Sequence, residues 1–301
     1  GQMAQLGPVD AVSITTHGAA AALLAADGSL ALPVLDYEHD GPDAMAAEYD
    51  ALRPPFAETG APRLPHGLNL GAQIHWQARS FSDAFARVDR ILMYPQYWSH
   101  RLTGVAVSEA TSLGCHTDLW NPWGAGFSTM VERLTWAGLF PMLRPAGAVL
   151  GPILPAVAQA TGLPADTPVL AGIHDSNASL VPYLHRSGPC AVLSTGTWMI
   201  TMALGGAATA LDARRDTLVN VNALGAPVPT ARYMAGREFD ELTQGKIVTP
   251  NEVELRAVLA AGLMALPSLH PDTGPFPGQT FAWSPGEPVD DAARTAAASF
   301  Y

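Results

Sequence analysis

The stretch from Pro168 to Met202 constrains this chain more than any other. It holds two short apolar runs, Val169–Ile173 and Cys190–Leu193, and each stops abruptly at small polar residues. The first ends in His174-Asp175-Ser176-Asn177, the second in Ser194-Thr195-Gly196-Thr197-Trp198. Apolar runs of this length, bounded in this way, read as buried strands. A buried strand with an Asp at its tip and a helix start behind it holds a carboxylate rigidly. A strand ending in a Ser/Thr/Gly turn gathers backbone amides and hydroxyls in a way that suits phosphate oxygens. Plainer readings exist for both. Asp175 can be the N-cap of a short helix from Asn177 to Leu184, interrupted at Pro182. Thr195-Gly196 can be an ordinary hairpin turn between Val192 and Met199.

Ala171-Gly172-Ile173-His174-Asp175-Ser176, followed by Leu193-Ser194-Thr195-Gly196-Thr197-Trp198, resembles the core of the FGGY carbohydrate kinases. The His-Asp pair and the S-[ST]-G-T-W loop are most similar to the rhamnulokinase and fuculokinase branch. The resemblance implies an α/β fold, the two-domain actin/Hsp70-like (ribonuclease H-like) sugar kinase fold, incomplete in this chain. It implies that Asp175 is the base facing the sugar hydroxyl, and that Ser194, Thr195, Gly196 and Thr197 lie against the phosphates of ATP. His174 joins the expected sugar contacts. A His-Asp dipeptide also occurs in metal-dependent phosphohydrolases, but that chemistry needs further His and Asp ligands at helical spacing, and none is visible.

The net charge of −11, from 16 Lys+Arg against 27 Asp+Glu, comes without any basic run. Nucleic acid and anionic membrane surfaces are therefore poor partners. A phosphate ligand has to be held mainly by amides, hydroxyls and a cation. The only two cysteines, Cys115 and Cys190, lack CxxC spacing, and a reduced cytoplasmic setting follows. The longest apolar stretches, Ala19–Ala26 and Ala257–Leu266, are too short or too Ala-rich to cross a bilayer. With 48% hydrophobic residues, 28 Gly and 26 Pro, the 301-residue chain reads as a loop-rich globular enzyme of two domains.

Along the chain, Asp10–Thr16 reads as a β-branched strand ending at His17-Gly18. Asp27-Gly28 marks a hairpin between Ala20–Ala26 and Ser29–Val34. The family resemblance makes Thr16 and His17 sugar-contact candidates. It adds Asp36 and Tyr37, although this chain lacks the Trp and Arg of the family's W-x-D-x-R pattern, and a charged loop is commonly just solvated. Residues 53–71 read as an irregular Pro/Gly-rich loop. A helix begins at Ser82, with Phe85, Val88, Ile91 and Leu92 on one face, and is interrupted at Pro95. Gln96–Leu102 continues helically to Gly104, with Gln96 a further sugar-contact candidate and Tyr97 and Trp98 expected in the core.

Leu102-Thr103-Gly104, Ser108–Gly114 and Thr117–Trp120 resemble the family's L-T-G and E-x-T-x-x-S/G-x-x-x-D segments. Thr129 and Glu132 suggest a capping box. A short helix over Pro152–Ala160 is closed by Gly162. The domain boundary is expected at Thr161–Pro168, giving an N-terminal sugar-binding part over 1–167 and a C-terminal nucleotide-binding part over 168–301. Strands at 217–222 and 229–234 flank Gly225, and Gly236-Arg237-Glu238 opens a helix, as a similar triplet does in the family. An amphipathic helix over Glu252–Leu266 has Val253, Val258, Leu259 and Leu263 as core positions. Another helix starts at Arg294.

The resemblance runs from Val9 to Tyr301 and implies ATP-dependent phosphorylation of a ketose or related sugar, with Mg2+ arriving on the nucleotide. No metal ligand is assigned within the chain, and a homodimer is an open assembly state. The family's N-terminal D-x-G-T hairpin and C-terminal Gly-rich adenosine segment are not found, so part of a longer kinase is expected. The competing reading is a non-catalytic sugar-binding or regulatory protein on a kinase scaffold.

Overall fold

The computed structural model describes residues 7–206, 211–246 and 248–301. Two compact units emerge, one of residues 1–188 with 219–228, the other of 189–218 with 229–301. The break lies about twenty residues beyond the expected boundary at 167/168. The reason is hydrogen bonding: the run that starts at Pro168 pairs backwards, into the first unit.

In that unit, β1 (Thr15–Thr16) is preceded by a parallel bridge from Val12 to Val169. Strand β2 (Ala21–Ala25) turns at Asp27-Gly28, where Gly28 N donates to Ala25 O and Leu24 bridges Leu30, forming the expected hairpin. Its other edge pairs antiparallel with β3 (Val88–Met93). A helix is therefore corrected to a strand here. Ile91, Leu92 and Met93 are all essentially inaccessible, as expected for a strand covered on both faces, and three consecutive buried residues mimic neither period cleanly. The helix at Ser82 stops at Phe85. The stretch 53–71, read as irregular, instead holds a short helix at Phe56–Thr59 and runs into one over Leu70–Ser80 that buries seven of its residues. Pro95 begins the helix Tyr94–Thr103 instead of interrupting one, because the first turn has no amide bond for proline to break. Gly104 closes that helix in the left-handed region, as expected.

Short β4 (Trp120–Asn121) and β5 (Gly126–Phe127) form a hairpin. Strand β6 (Val149–Pro152) pairs antiparallel with β7 (Pro168–Leu170), and β8 (Ile173–His174) pairs parallel with β1. Gly172 separates β7 from β8. Its φ is +88°, and a Cβ there would sit 2.9 Å from the Ile14 carbonyl oxygen, so only glycine fits the break without strain. The core of the unit includes Leu23, Tyr49, Leu70, Ile74, Ile91, Leu113, Leu119, Met130 and Val131. Among its buried polar groups, Asp118 is bound by Arg53 (2.9 Å) and by the Tyr49 hydroxyl (2.7 Å). Burial pushes the Asp118 carboxyl above its ordinary pKa, against the pull of Arg53.

The second unit is built on a four-stranded sheet. Strand β9 (Cys190–Ser194) and β10 (Met199–Leu204) form an antiparallel hairpin, and β11 (Thr217–Val221) and β12 (Pro227–Tyr233) complete the order β11-β12-β10-β9. The turn joining β11 to β12, with the strand ends beside it, belongs to the first unit. Strands entering His174 and Ser194 were expected in one domain. They fall in different units, because β8 finds its partner in β1. Helices follow at Ala235–Leu242, Glu252–Ala260 and Asp291–Ala298. The second ends earlier than its apolar pattern suggests, because β13 (Met264–Leu266) pairs with β14 (Ala282–Ser284). Of the four core positions expected there, Val258 is buried and Leu263 packs beside it, whereas Val253 and Leu259 are exposed. No helix of the described residues is long and apolar enough to cross a membrane. Neither cysteine forms a disulfide among the described residues.

Candidate active site

The parallel pairing of β1 and β8 sets Thr15 beside Ile173 and Thr16 beside His174. Two chain ends thus leave the sheet in register, one continuing into His17 and the other into Asp175. Sequence reading had assigned these four residues from separate stretches, and the backbone ladder brings them together. The segment just before Asp175 is pinned from below. Gln96 Nε2 donates to the carbonyls of Ala171 (3.2 Å) and Gly172 (3.1 Å), and Ser99 Oγ donates to Ala171 O (3.1 Å).

Asp175 opens a four-residue helix, Asp175–Ala178, as its first helical residue; His174 holds the N-cap position, and the Asp175 side chain accepts from its neighbour Ser176. The plain N-cap reading is therefore set aside. Its carboxylate is asymmetric. Oδ1 accepts from Ser176 N (2.6 Å) and Ser176 Oγ (3.3 Å) and stands 3.1 Å from His174 Nε2. Among the described residues nothing donates to Oδ2. About half of the side chain is exposed. One oxygen is anchored and the other is left open.

His174 was expected to touch sugar. Instead it is buried, with Nδ1 2.9 Å from Asn177 Nδ2 and Nε2 near both Asp175 and Cys115 Sγ (3.4 Å). Burial pushes its pKa down to about 4, helped by His17 and opposed by Asp175. Its amide donates to Thr111 Oγ1 (3.1 Å), whose hydroxyl donates to the buried Glu109 carboxylate (2.5 Å). Burial raises the Glu109 pKa despite these bonds. Glu109 and Thr111 carried no assigned role from sequence. The E-x-T resemblance was their only signal.

His17, Asp36 and Tyr37 line one cavity of about 300 Å³ together with Ala20, Val34, Leu35 and Tyr94. The His17 ring lies 5.5 Å from that of Tyr37 and 5.2 Å from that of Tyr94. His17 Nδ1 donates to the Gly18 carbonyl at 2.7 Å, which leaves Nε2 as an acceptor. Asp36 is exposed and bends its own loop through a bond from Glu38 N. Gln96 does not reach this cavity. It is fully buried, its amide nitrogen is spent on the backbone before Asp175, and its Oε1 has no partner among the described residues. Tyr97 is buried as expected, but Trp98 is 43% exposed.

In the second unit, Thr195–Trp198 is the turn between β9 and β10, so the hairpin reading of this loop holds as geometry. Ser194, Thr195, Gly196 and Thr197 are all exposed. Among the described residues, no group accepts from the amides of Thr195, Gly196 and Thr197. The first turn of the helix Ala235–Leu242 abuts this loop, and Arg237 N donates to Thr197 O (3.4 Å). A Cβ on Gly236 would fall 2.1 Å from Gly196 O, so glycine is what allows the contact. Unpaired amides and hydroxyls facing solvent fit the oxygens of a nucleotide phosphate. A resident metal finds no such fit: the described residues hold no group of three or more His, Cys, Asp or Glu placed to bind one.

Comparison with known proteins gives this architecture its class. Residues 57–182 match the FGGY family of carbohydrate kinases, N-terminal domain, and residues 187–301 match carbohydrate kinase FGGY, C-terminal domain. The chain belongs to the FGGY family of carbohydrate kinases. Its fold is the actin/Hsp70-like one of the solved sugar kinases. A carbohydrate kinase from Novosphingobium aromaticivorans is 44% identical, with a TM-score of 0.90 over 98% of this chain and 67% of that one. A xylulose kinase from Brucella ovis, at 19% identity, shares the fold with a TM-score of 0.74 over 99% of this chain and 63% of its own. The L-fuculokinase of Salmonella typhi is 27% identical over 201 residues, 66% of this chain and 42% of that protein. The chain therefore spans less than half the length of the curated relatives it matches.

Proposed function

We propose that this chain is part of an ATP-dependent kinase that phosphorylates a hydroxyl of a ketose or related sugar, with Asp175 as its base. The observation that carries the reading is the asymmetric Asp175 carboxylate, anchored at Oδ1 and open at Oδ2, at a strand end register-matched to Thr16 and His17. The L-fuculokinase relatives and the N. aromaticivorans carbohydrate kinase support the sugar as acceptor.

Bound ATP would supply the phosphoryl group. The sugar occupies the cavity of His17, Asp36 and Tyr37, where His17 Nε2 and the Asp36 carboxylate accept hydroxyl hydrogens. Asp175 Oδ2 orients the attacking hydroxyl and takes its proton. A carboxylate is a weak ground-state base, but phosphoryl transfer through a loose transition state needs positioning and late proton acceptance more than basicity. The amides of Thr195, Gly196 and Thr197 bind phosphate oxygens and stabilise their charge. Mg2+ would accompany the nucleotide. The sugar-binding role thus goes to the first unit and the nucleotide role to the second, in a cytoplasmic setting that two cysteines outside any disulfide favour.

The test is Asp175→Asn in the complete kinase, assayed against a panel of ketoses and polyols. Asn keeps the size and the hydrogen-bonded anchor at Oδ1 but removes the charge and the proton site. The expected loss is about 10²–10⁴-fold in kcat, with the melting temperature nearly unchanged. Turnover within a few-fold of wild type would show that Asp175 is structural. Sugar binding without turnover in wild type would favour the scaffold reading instead.

A further inference from the structure

We propose that Gln73 is a positioning residue for the sugar cavity: its amide clamps the turn that presents His17 to the segment that holds Tyr37, and so sets the spacing of two cavity walls. The proposal rests on the reading of that cavity as the sugar site.

Gln73 lies on the helix Leu70–Ser80, is 2% exposed and does not itself line the cavity. Its Nε2 donates to the carbonyl of Ala19 (2.6 Å) and to that of Gly67 (2.5 Å). A primary amide carries two N–H bonds on one nitrogen, so both are used, and the two carbonyl acceptors fix which way the amide faces. Ala19 belongs to the turn between β1 and β2, residues 17–20, of which His17 and Ala20 line the cavity. Its φ is +52°, in the left-handed region that a residue with a Cβ rarely adopts. Ala19 is also buried, so its carbonyl oxygen needs a partner, and Gln73 supplies one.

Gly67 carries the clamp to the other wall. Its amide donates to the Tyr37 carbonyl (3.0 Å), and the preceding His66 is tied to Asp43 through its amide (2.9 Å) and its Nδ1 (2.9 Å). Residues 66 and 67 thus hold the loop of Asp36 and Tyr37 at two points, and Gln73 holds them in turn. A Cβ on Gly67 would stand 2.8 Å from Gln73 Nε2 and 3.0 Å from its Cγ, so any side chain there would push the amide off its carbonyls. The Ala20 carbonyl accepts from Tyr94 N (3.1 Å), which hangs a third cavity residue from the same turn. The His17 ring lies 5.5 Å from that of Tyr37. Among the described residues no hydrogen bond joins these two side chains, so the backbone that carries them sets their spacing.

The test uses the complete kinase and whichever ketose or polyol of the panel the wild type phosphorylates. Gln73→Met keeps the length of the side chain and removes both donors. It is expected to raise the KM for sugar about tenfold, with kcat within a few-fold and the KM for ATP within about twofold, because a displaced binding wall weakens ground state and transition state alike. Gly67→Ala displaces the same amide from the loop side and should give the same pattern. Since both act through one clamp, the double variant should raise the sugar KM no further than the larger single one, whereas independent effects multiply. Melting temperatures show which variants are folded. NMR with labelled His and Tyr reads the clamp without turnover: a nuclear Overhauser contact between the His17 and Tyr37 rings is expected in wild type and lost in Gln73→Met. A folded Gln73→Met protein with a wild-type sugar KM would overturn the proposal. So would equal rises in both KM values, or effects that multiply in the double variant. If Gln73→Met fails to fold, the two KM values of Gly67→Ala, and its ring contact, decide by the same criteria. If the wild type phosphorylates no sugar, the kinase reading fails by itself, and the ring contact alone decides the clamp, which falls if the contact survives in Gln73→Met.

Discussion

At the scale of single residues, burial makes His174 a liability in acid. Its folded pKa is about 4, against an ordinary value of 6.5. Between those two values the unfolded chain binds a proton that the folded one refuses, so stability falls as pH drops through that window. Above pH 6.5 the penalty is absent, and below about pH 4 it is complete. The shift corresponds to a penalty on the order of 3 kcal/mol. Thermal melts from pH 7 to 4 should show wild type losing stability faster than His174→Gln, which has no imidazole to protonate. Parallel pH curves for the two proteins would mean that the ring is not held neutral. Carboxylates titrate in the same range in both proteins, so the difference between the curves isolates the ring.

Secondary-structure elements show where local chemistry spoke clearly and where it was overruled. Gly104 and Gly162 end their helices in the left-handed region, as their position after apolar periods suggested. The Asp27-Gly28 turn and the β9–β10 hairpin were likewise legible, since turn residues act locally. Strand β3 was not, because Ile91–Met93 owe their extended form to β2, about seventy residues earlier. Asp175, Thr16 and His17 could be named from motifs, but the ladder that joins them is a long-range pairing that no local pattern announces. The buried roles of His174 and Gln96 were hidden for the same reason: a motif gives residue types, not which way a ring or amide faces.

The helix Thr129–Arg133 makes this testable. Its sequence offers a Thr129/Glu132 capping box, yet its N-terminus is met by Glu58, which accepts from Thr129 N (2.7 Å) and Thr129 Oγ1 (2.9 Å). Glu58→Ala should cost about 0.5–2 kcal/mol in denaturant unfolding, the range for a lost cap. Glu132→Ala should cost less than about 0.5 kcal/mol, as for an ordinary surface position. The reverse order would restore the local capping box and remove the long-range one.

For the whole molecule, charge decides what can be bound and how. With a net charge of −11 and only 16 Lys and Arg, the chain offers few cations to displace counterions from nucleic acid. The same shortage bears on the proposed nucleotide site. The Thr195–Thr197 loop offers neutral amides and hydroxyls, and the neighbouring Arg237 is the single cation of its helix turn. Neutral donors at short range are little affected by added salt, whereas a cluster of exposed lysines and arginines loses its pull within a Debye length. The overall negative field also repels a polyphosphate, and salt weakens that repulsion. The two small effects oppose each other. Raising ionic strength from about 0.05 to 0.5 M should therefore change the KM for ATP in the complete kinase by less than about threefold. Steady-state kinetics at constant free Mg2+ measures this directly. A steep rise in KM with salt would mean that basic side chains, not the backbone of the β9–β10 turn, carry the phosphates. Thr195→Ala and Gly236→Ala extend the measurement to the loop itself. The first removes one hydroxyl and leaves every amide, so its KM should rise only a few-fold, in line with one hydrogen bond. The second forces a methyl against Gly196 O, displaces the amides together, and should raise the KM for ATP well beyond that while the KM for sugar stays near wild type.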